Sequence, residues 1–176
     1  MYLFCGIIKH KMMKRLFLAI AIVFATMVTL ESCSTAQRVA AGVSGSRGTV
    51  VRDWVVSSVT LEGLPEGAVQ GLFGERSYKC FEGSTWHLTN SGNGTYSLPS
   101  SSACGLVTQS IFWSAVPKEQ TFQFKKIYEG DKAKNVAEGY RLVMTELSST
   151  GMTLKSPIEF GGKTANIILT FVPAAK

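Results

Sequence analysis

From Trp54 to Val172 apolar positions recur every second residue, in short runs broken by turn residues. Side chains alternate across a strand, so each such run commits one face to an interior. Trp86 and Leu88 share a face, with Thr85, His87 and Thr89 opposite, and Tyr96 and Leu98 share another. The same period links Phe122 with Phe124, then Tyr140, Leu142 and Met144, then Ala165, Ile167, Leu169 and Phe171. These runs predict strands over residues 52–61, 84–90, 95–99, 107–115, 121–128, 138–147, 152–156 and 164–172. Their spacing suits an all-β sandwich or barrel.

The breaks between runs are legible as turns. Ser91-Gly92-Asn93-Gly94 supplies residues that tolerate positive φ, residues 148–151 join two more runs, and Gly161-Gly162-Lys163 precedes the last. Residues 129–136 (EGDKAKNV) read as a long polar hairpin loop. Short successive connections imply an antiparallel meander. One segment departs from the pattern. Ala68, Val69, Leu72 and Phe73 fall at helical spacing, behind Pro65 and Glu66, which suit a first turn. A short helix is expected over residues 66–73, as a plug or a lid over an open barrel end.

Ahead of the β pattern the chain is of another kind. Leu16 to Leu30 is a run of apolar or small residues behind Lys14-Arg15. A bilayer core needs ~20 apolar residues, and polar Glu31, Ser32 and Ser34 stop this run short of that. A basic start, a short apolar core and small residues at a cut site describe an export signal over residues 1–32. Because residues 1–11 are themselves rich in apolar side chains, translation starting at Met12 or Met13 fits the signal pattern better. Residues 34–50 (STAQRVAAGVSGSRGTV) are rich in Ser, Gly and Ala without an apolar face, and read as a flexible tether. The folded domain is expected over residues 51–176.

Charge and cysteine usage narrow the classes. The chain carries +6, of which Lys9, Lys11, Lys14 and Arg15 against Glu31 lie in the signal. The remainder keeps 14 basic and 11 acidic residues, dispersed, with Lys125-Lys126 the one adjacent basic pair. A nucleic-acid face would need a cluster, so no nucleic-acid partner is expected. Beyond Cys33, Cys80 and Cys104 remain. In an exported chain such a pair reads as one bridge; two buried free thiols or a metal site are the competing readings. Metal is disfavoured by the long spacing and by His87 being the one histidine after the signal.

The stretch Leu30-Glu31-Ser32-Cys33-Ser34 resembles a bacterial lipobox. That resemblance implies a palmitate-type lipid on Cys33, anchoring the mature chain to a membrane of the cell envelope. Further on come Arg52-Asp53-Trp54-Val55-Val56, Tyr78-Lys79-Cys80-Phe81-Glu82-Gly83-Ser84-Thr85-Trp86, Asn93-Gly94-Thr95-Tyr96, Cys104 and Phe112-Trp113. With the closing run Ile167 to Phe171, they resemble the lipocalin-like lipoproteins of Bacteroides-type bacteria. The resemblance spans residues 54–172, and the Cys-x5-Trp stretch is its most specific piece. It implies an all-β fold, an eight-stranded antiparallel up-and-down barrel with one short helix in the first long loop. It departs from true lipocalins in carrying Arg52 where they place a glycine two residues before the tryptophan. In such bacteria an acidic run after the lipidated cysteine resembles a surface-export tag. None follows Cys33, so the domain is expected to face the periplasm.

No enzyme constellation stands out. The sequence holds no Gly-x-Ser-x-Gly, no His-Glu-x-x-His and no phosphate-cradling glycine loop. His87 opposes Trp86 in parity and is expected to face solvent, as is Arg141. No catalytic residue, cofactor or metal is therefore expected. The aromatic positions have two readings: small barrels fill their interiors with side chains, and ligand cavities are lined by such residues. Under the second reading Trp54, Trp86, Tyr96, Trp113, Phe122, Phe124 and Tyr140, with Leu72 and Phe73 above them, would hold a small hydrophobic ligand.

Overall fold

The period-two runs become eight strands: β1 (Asp53–Glu62), β2 (Thr85–Leu88), β3 (Asn93–Leu98), β4 (Val107–Val116), β5 (Thr121–Ile127), β6 (Tyr140–Leu147), β7 (Met152–Phe160) and β8 (Lys163–Pro173). The computed structural model describes residues 42–100 and 104–175. The export signal over 1–32, the alternative starts at Met12 and Met13, the lipid anchor at Cys33 and the tether as far as residue 41 lie outside the described residues. Each strand pairs antiparallel with the next, and β1 pairs with β8, so the sheet closes as an up-and-down barrel.

Alternation sorts the side chains as the sequence anticipates. Trp86, Leu88, Tyr96, Leu98, Phe122, Phe124, Leu142, Met144, Ile167, Leu169 and Phe171 are buried. Two β-bulges change the phase. The register of β1 against β8 slips between Val56 and Ser58, so Trp54 and Val56 face inward before it, and Val59 and Leu61 pack on the core after it. A second slip between Met144 and Glu146 turns Leu147 inward. One extra residue on one strand has that effect. β7 runs to Phe160, past the expected end at Ser156. Its pairing with β6 reaches Lys155, and beyond that β7 is registered with β8 alone. Pro157 therefore sits on a local edge, where a missing N–H is tolerated.

One end of the barrel has short turns, around residues 89–92, 117–120 and 148–151. Residues 42–52 cross this end, so residues 42–50 of the expected tether are ordered against the barrel. Leu147 O accepts from Ser44 N (3.1 Å) and Gly45 N (3.0 Å), and Leu147 N donates to Gly42 O. A short helix α1 (Arg47–Val50) follows, and Val50 is 0 % exposed. Trp54 Nε1 donates to Val50 O at 2.9 Å. Arg47 donates to Asn90 Oδ1 at 2.7 Å while its guanidinium lies 4.9 Å from the Trp113 ring centre. Serine and glycine composition predicts flexibility only until a few apolar side chains find a surface to cover.

The other end carries the long connections. The helix expected over residues 66–73 is absent. Glycines at 67 and 71 fall inside it, Gly67 at φ +86°, and an eight-residue helix is marginal without that handicap. Instead, Leu72 and Glu75 face each other across a tight turn, with Glu75 N donating to Leu72 O at 2.9 Å and Leu72 N to Glu75 O at 3.2 Å. Phe73 (φ +51°) and Gly74 (φ +78°) occupy its centre. The loop's helical element is a 3-10 turn at Tyr78–Phe81. A disulfide joins Cys80 to Cys104, stapling that turn to the segment entering β4.

Candidate functional site

The barrel brings the expected ligand-lining side chains together. Trp54, Trp86, Tyr96, Trp113, Phe122, Phe124, Leu72 and Phe73 are all buried, and Tyr140 is partly buried against them. The rings of Trp86, Tyr96, Trp113, Phe122, Phe124, Tyr140 and Phe73 touch one another in a continuous cluster. Trp86 stacks on Tyr96 with centroids 5.0 Å apart and meets Phe124 edge-on at 5.4 Å. Trp113 stacks on Phe122 at 5.9 Å. Phe73 enters from the loop end and packs at 5.0–5.3 Å against Phe81, Phe124 and Tyr140. Such ring pairs contribute beyond their buried area, about 0.5–1.5 kcal/mol each.

The polar tips are satisfied within the protein. Trp86 Nε1 donates to Ser84 Oγ (3.1 Å), which donates on to Phe81 O (2.6 Å). Trp113 Nε1 donates to Asn93 O at 3.1 Å. Among the described residues no buried side-chain nitrogen or oxygen lacks a partner. At the loop end a polar latch closes the interior. Lys126, which shares the inward parity of Phe122 and Phe124, donates to Glu75 Oε1 at 2.6 Å. Tyr96 OH donates to the same oxygen at 3.0 Å. Burial first, and the Glu75 carboxylate second, push the Tyr96 phenol above the ordinary tyrosine range. The plug is thus held by Phe73 in the ring cluster and by Glu75 between two inward-facing barrel side chains.

His87 lies outside the barrel, as its parity requires, and its Nδ1 pairs with the Asp53 carboxylate. Among the described residues no hydroxyl or thiol is hydrogen-bonded to this histidine. Among the described residues no three His, Cys, Asp or Glu side chains are grouped to hold a metal ion. No helix of those residues is long and apolar enough to cross a membrane. Glu62, on the outer face, accepts from Lys155 (2.7 Å) and Asn166 (2.8 Å), which hold its carboxyl below the ordinary glutamate range.

A second concave region lies on the outside of β4, β5 and β6. The 128–139 loop, with a 3-10 turn at Ala133–Asn135, folds back over β5. Lys125 Nζ ties it down, donating to Val136 O at 2.6 Å and Ala133 O at 3.5 Å. Between loop and sheet runs a groove of about 660 Å³, lined by residues including Phe112, Ser114, Gln123, Lys125, Lys134, Gly139 and Arg141. An adjoining recess of about 490 Å³ shares Ala137, Gly139 and Tyr140 with it. Sequence reading missed this groove. The adjacent pair Lys125-Lys126 splits to opposite faces, one to the groove and one to the latch. The register Phe112↔Lys125 and Gln123↔Arg141 then assembles the groove from three separate stretches. Comparison of the chain with protein-family models, with curated proteins and with solved structures finds no match, so the fold rests on the barrel geometry itself.

Proposed function

We propose that this chain is a lipid-anchored, non-catalytic protein of the bacterial cell envelope, lipocalin-like in architecture, that recognises its partners with its exterior and loop end. The observation that carries the reading is the filled barrel, with aromatic rings in mutual contact and buried polar tips all partnered. A closed, satisfied interior serves as a rigid scaffold, and concavity is found on the outside. Anchoring draws on the apolar run ahead of Cys33 and on the lipobox resemblance; a periplasmic position draws on the lack of an acidic run behind that cysteine.

A second reading is the uptake of a small apolar molecule at the barrel mouth. It is favoured by one feature: Phe73 and Glu75, which close the mouth, belong to a loop rather than to the wall. Titration of tryptophan emission with a panel of fatty acids and other apolar metabolites separates the two. A filled scaffold gives no saturable change, whereas a one-to-one saturable change would establish the mouth as a ligand site. Labelled palmitate should enter the wild type and not Cys33→Ala, and retention of Cys33→Ala in the membrane fraction would remove the anchor.

A further inference from the structure

The outer groove has the shape and charge of a ligand site. Its volume of about 660 Å³ falls within the ~300–1,000 Å³ usual for small-molecule pockets. Three of its lining residues are cations, Lys125, Lys134 and Arg141, and none is acidic. The side chains of Arg141 and Lys134 are exposed and make no hydrogen bond or ion pair with any other described residue. Lys125 is occupied by the two loop carbonyls, so it fixes the wall and adds positive charge. The apolar component is Phe112, turned outward and 37 % exposed. Gly139 lets the returning loop lie close against β5, because a Cβ there would lie 3.1 Å from both Lys125 Cγ and Phe124 O.

We propose that this groove binds a small organic anion, with an oxyanion head on Arg141 and Lys134 and an apolar or planar body against Phe112. The planar guanidinium fork of arginine matches carboxylate and phosphate oxygens, and lysine adds a point charge. The inference rests on recognition by the exterior and names its chemistry. It fails separately, since a groove that binds nothing leaves the anchor and the filled barrel in place.

The test uses the full chain in neutral detergent micelles, followed by titration calorimetry. The probes are 1-naphthyl phosphate, its neutral counterpart 1-naphthol, and inorganic phosphate. Saturable one-to-one binding of naphthyl phosphate is expected, tighter than either fragment. Arg141→Gln should weaken it about tenfold or more, the scale of a charged hydrogen bond, and Lys134→Ala should weaken it less. Lys163→Ala, at the start of β8 outside the groove, should leave it unchanged. Adding phosphatidic acid to the micelles identifies the source of the head: competition assigns a lipid headgroup, and its absence a soluble anion. No saturable binding, equal binding of naphthol, or equal losses in Arg141→Gln and Lys163→Ala would each overturn the site. Both arginine and lysine side chains are exposed, and unchanged circular dichroism of the variants excludes misfolding as the cause.

Discussion

Phe73 shows how one residue can combine strain with function in packing. Its φ of +51° lies in the left-handed region, which costs a side-chain-bearing L-residue ~1–2 kcal/mol. The cost is offset because that conformation drives the ring between Phe81, Phe124 and Tyr140. Removing a buried phenyl ring costs about 3–5 kcal/mol, so Phe73→Ala and Phe73→Gly should both destabilise strongly. Their order is the informative part. In regular backbone glycine is the less stable of the two by roughly 0.5–1 kcal/mol. At this φ the order should reverse, with Phe73→Gly about 1 kcal/mol more stable than Phe73→Ala in urea denaturation of the full chain. Alanine as the better replacement would show that the turn is not left-handed. The burial of Phe73 was legible from its place in an apolar stripe. Its backbone was not, because the turn carries Phe-Gly where Asn-Gly is the recognisable signal.

At the scale of elements, strands were legible wherever the period of two is unbroken, as in Phe122–Phe124 or Ala165 to Phe171. It is least clear in β1, where the bulge after Val56 swaps the inward face from Trp54 and Val56 to Val59 and Leu61. The first long loop was misread as helix because spacing was weighed over Gly67 and Gly71. What orders that loop is covalent as well as packed: Cys80 and Cys104, 24 residues apart, are bridged. A closed loop of this length contributes about 3 kcal/mol by restricting the unfolded chain. The double substitution Cys80→Ala with Cys104→Ala should lower the stability of the full chain by about that amount. Hydrogen exchange should also rise most in residues 63–84, since the Glu75 latch would remain as their main restraint. Uniform exchange across the barrel would show that the bridge acts on global stability alone.

For the whole molecule, the sequence pattern left sandwich and barrel open, the lipocalin-like resemblance implied the closed barrel, and a plug over its mouth was expected from the Leu72 and Phe73 segment, though as a helix; the seal at the opposite end was not foreseen. Each end is sealed by chain outside the strands: the Phe73–Glu75 turn at the mouth, and residues 42–52 at the opposite end. The stripe at Leu72 and Phe73 marked the first seal but not its turn, and the second has no periodic signature, because it acts through one or two side chains. The outer groove was hidden for a related reason, since Lys125, Lys134 and Arg141 become neighbours only through strand register and a folded-back loop. The lower seal gives a sharp test of tether against closure. Val50 is 0 % exposed, and its carbonyl accepts the Trp54 indole N–H. Losing a fully buried valine costs ~1.5–3 kcal/mol, and leaving the indole donor unpaired costs a further ~1–3 kcal/mol. A variant beginning at Gly42 should therefore melt close to the full chain. One beginning at Arg52 should lose about 3 kcal/mol or more and melt about 10 °C lower, with the Trp54 emission shifted to the red as water reaches the ring. A tether would give equal melting temperatures for the two variants; a seal makes the nine residues from Val43 to Val51 part of the barrel's own core.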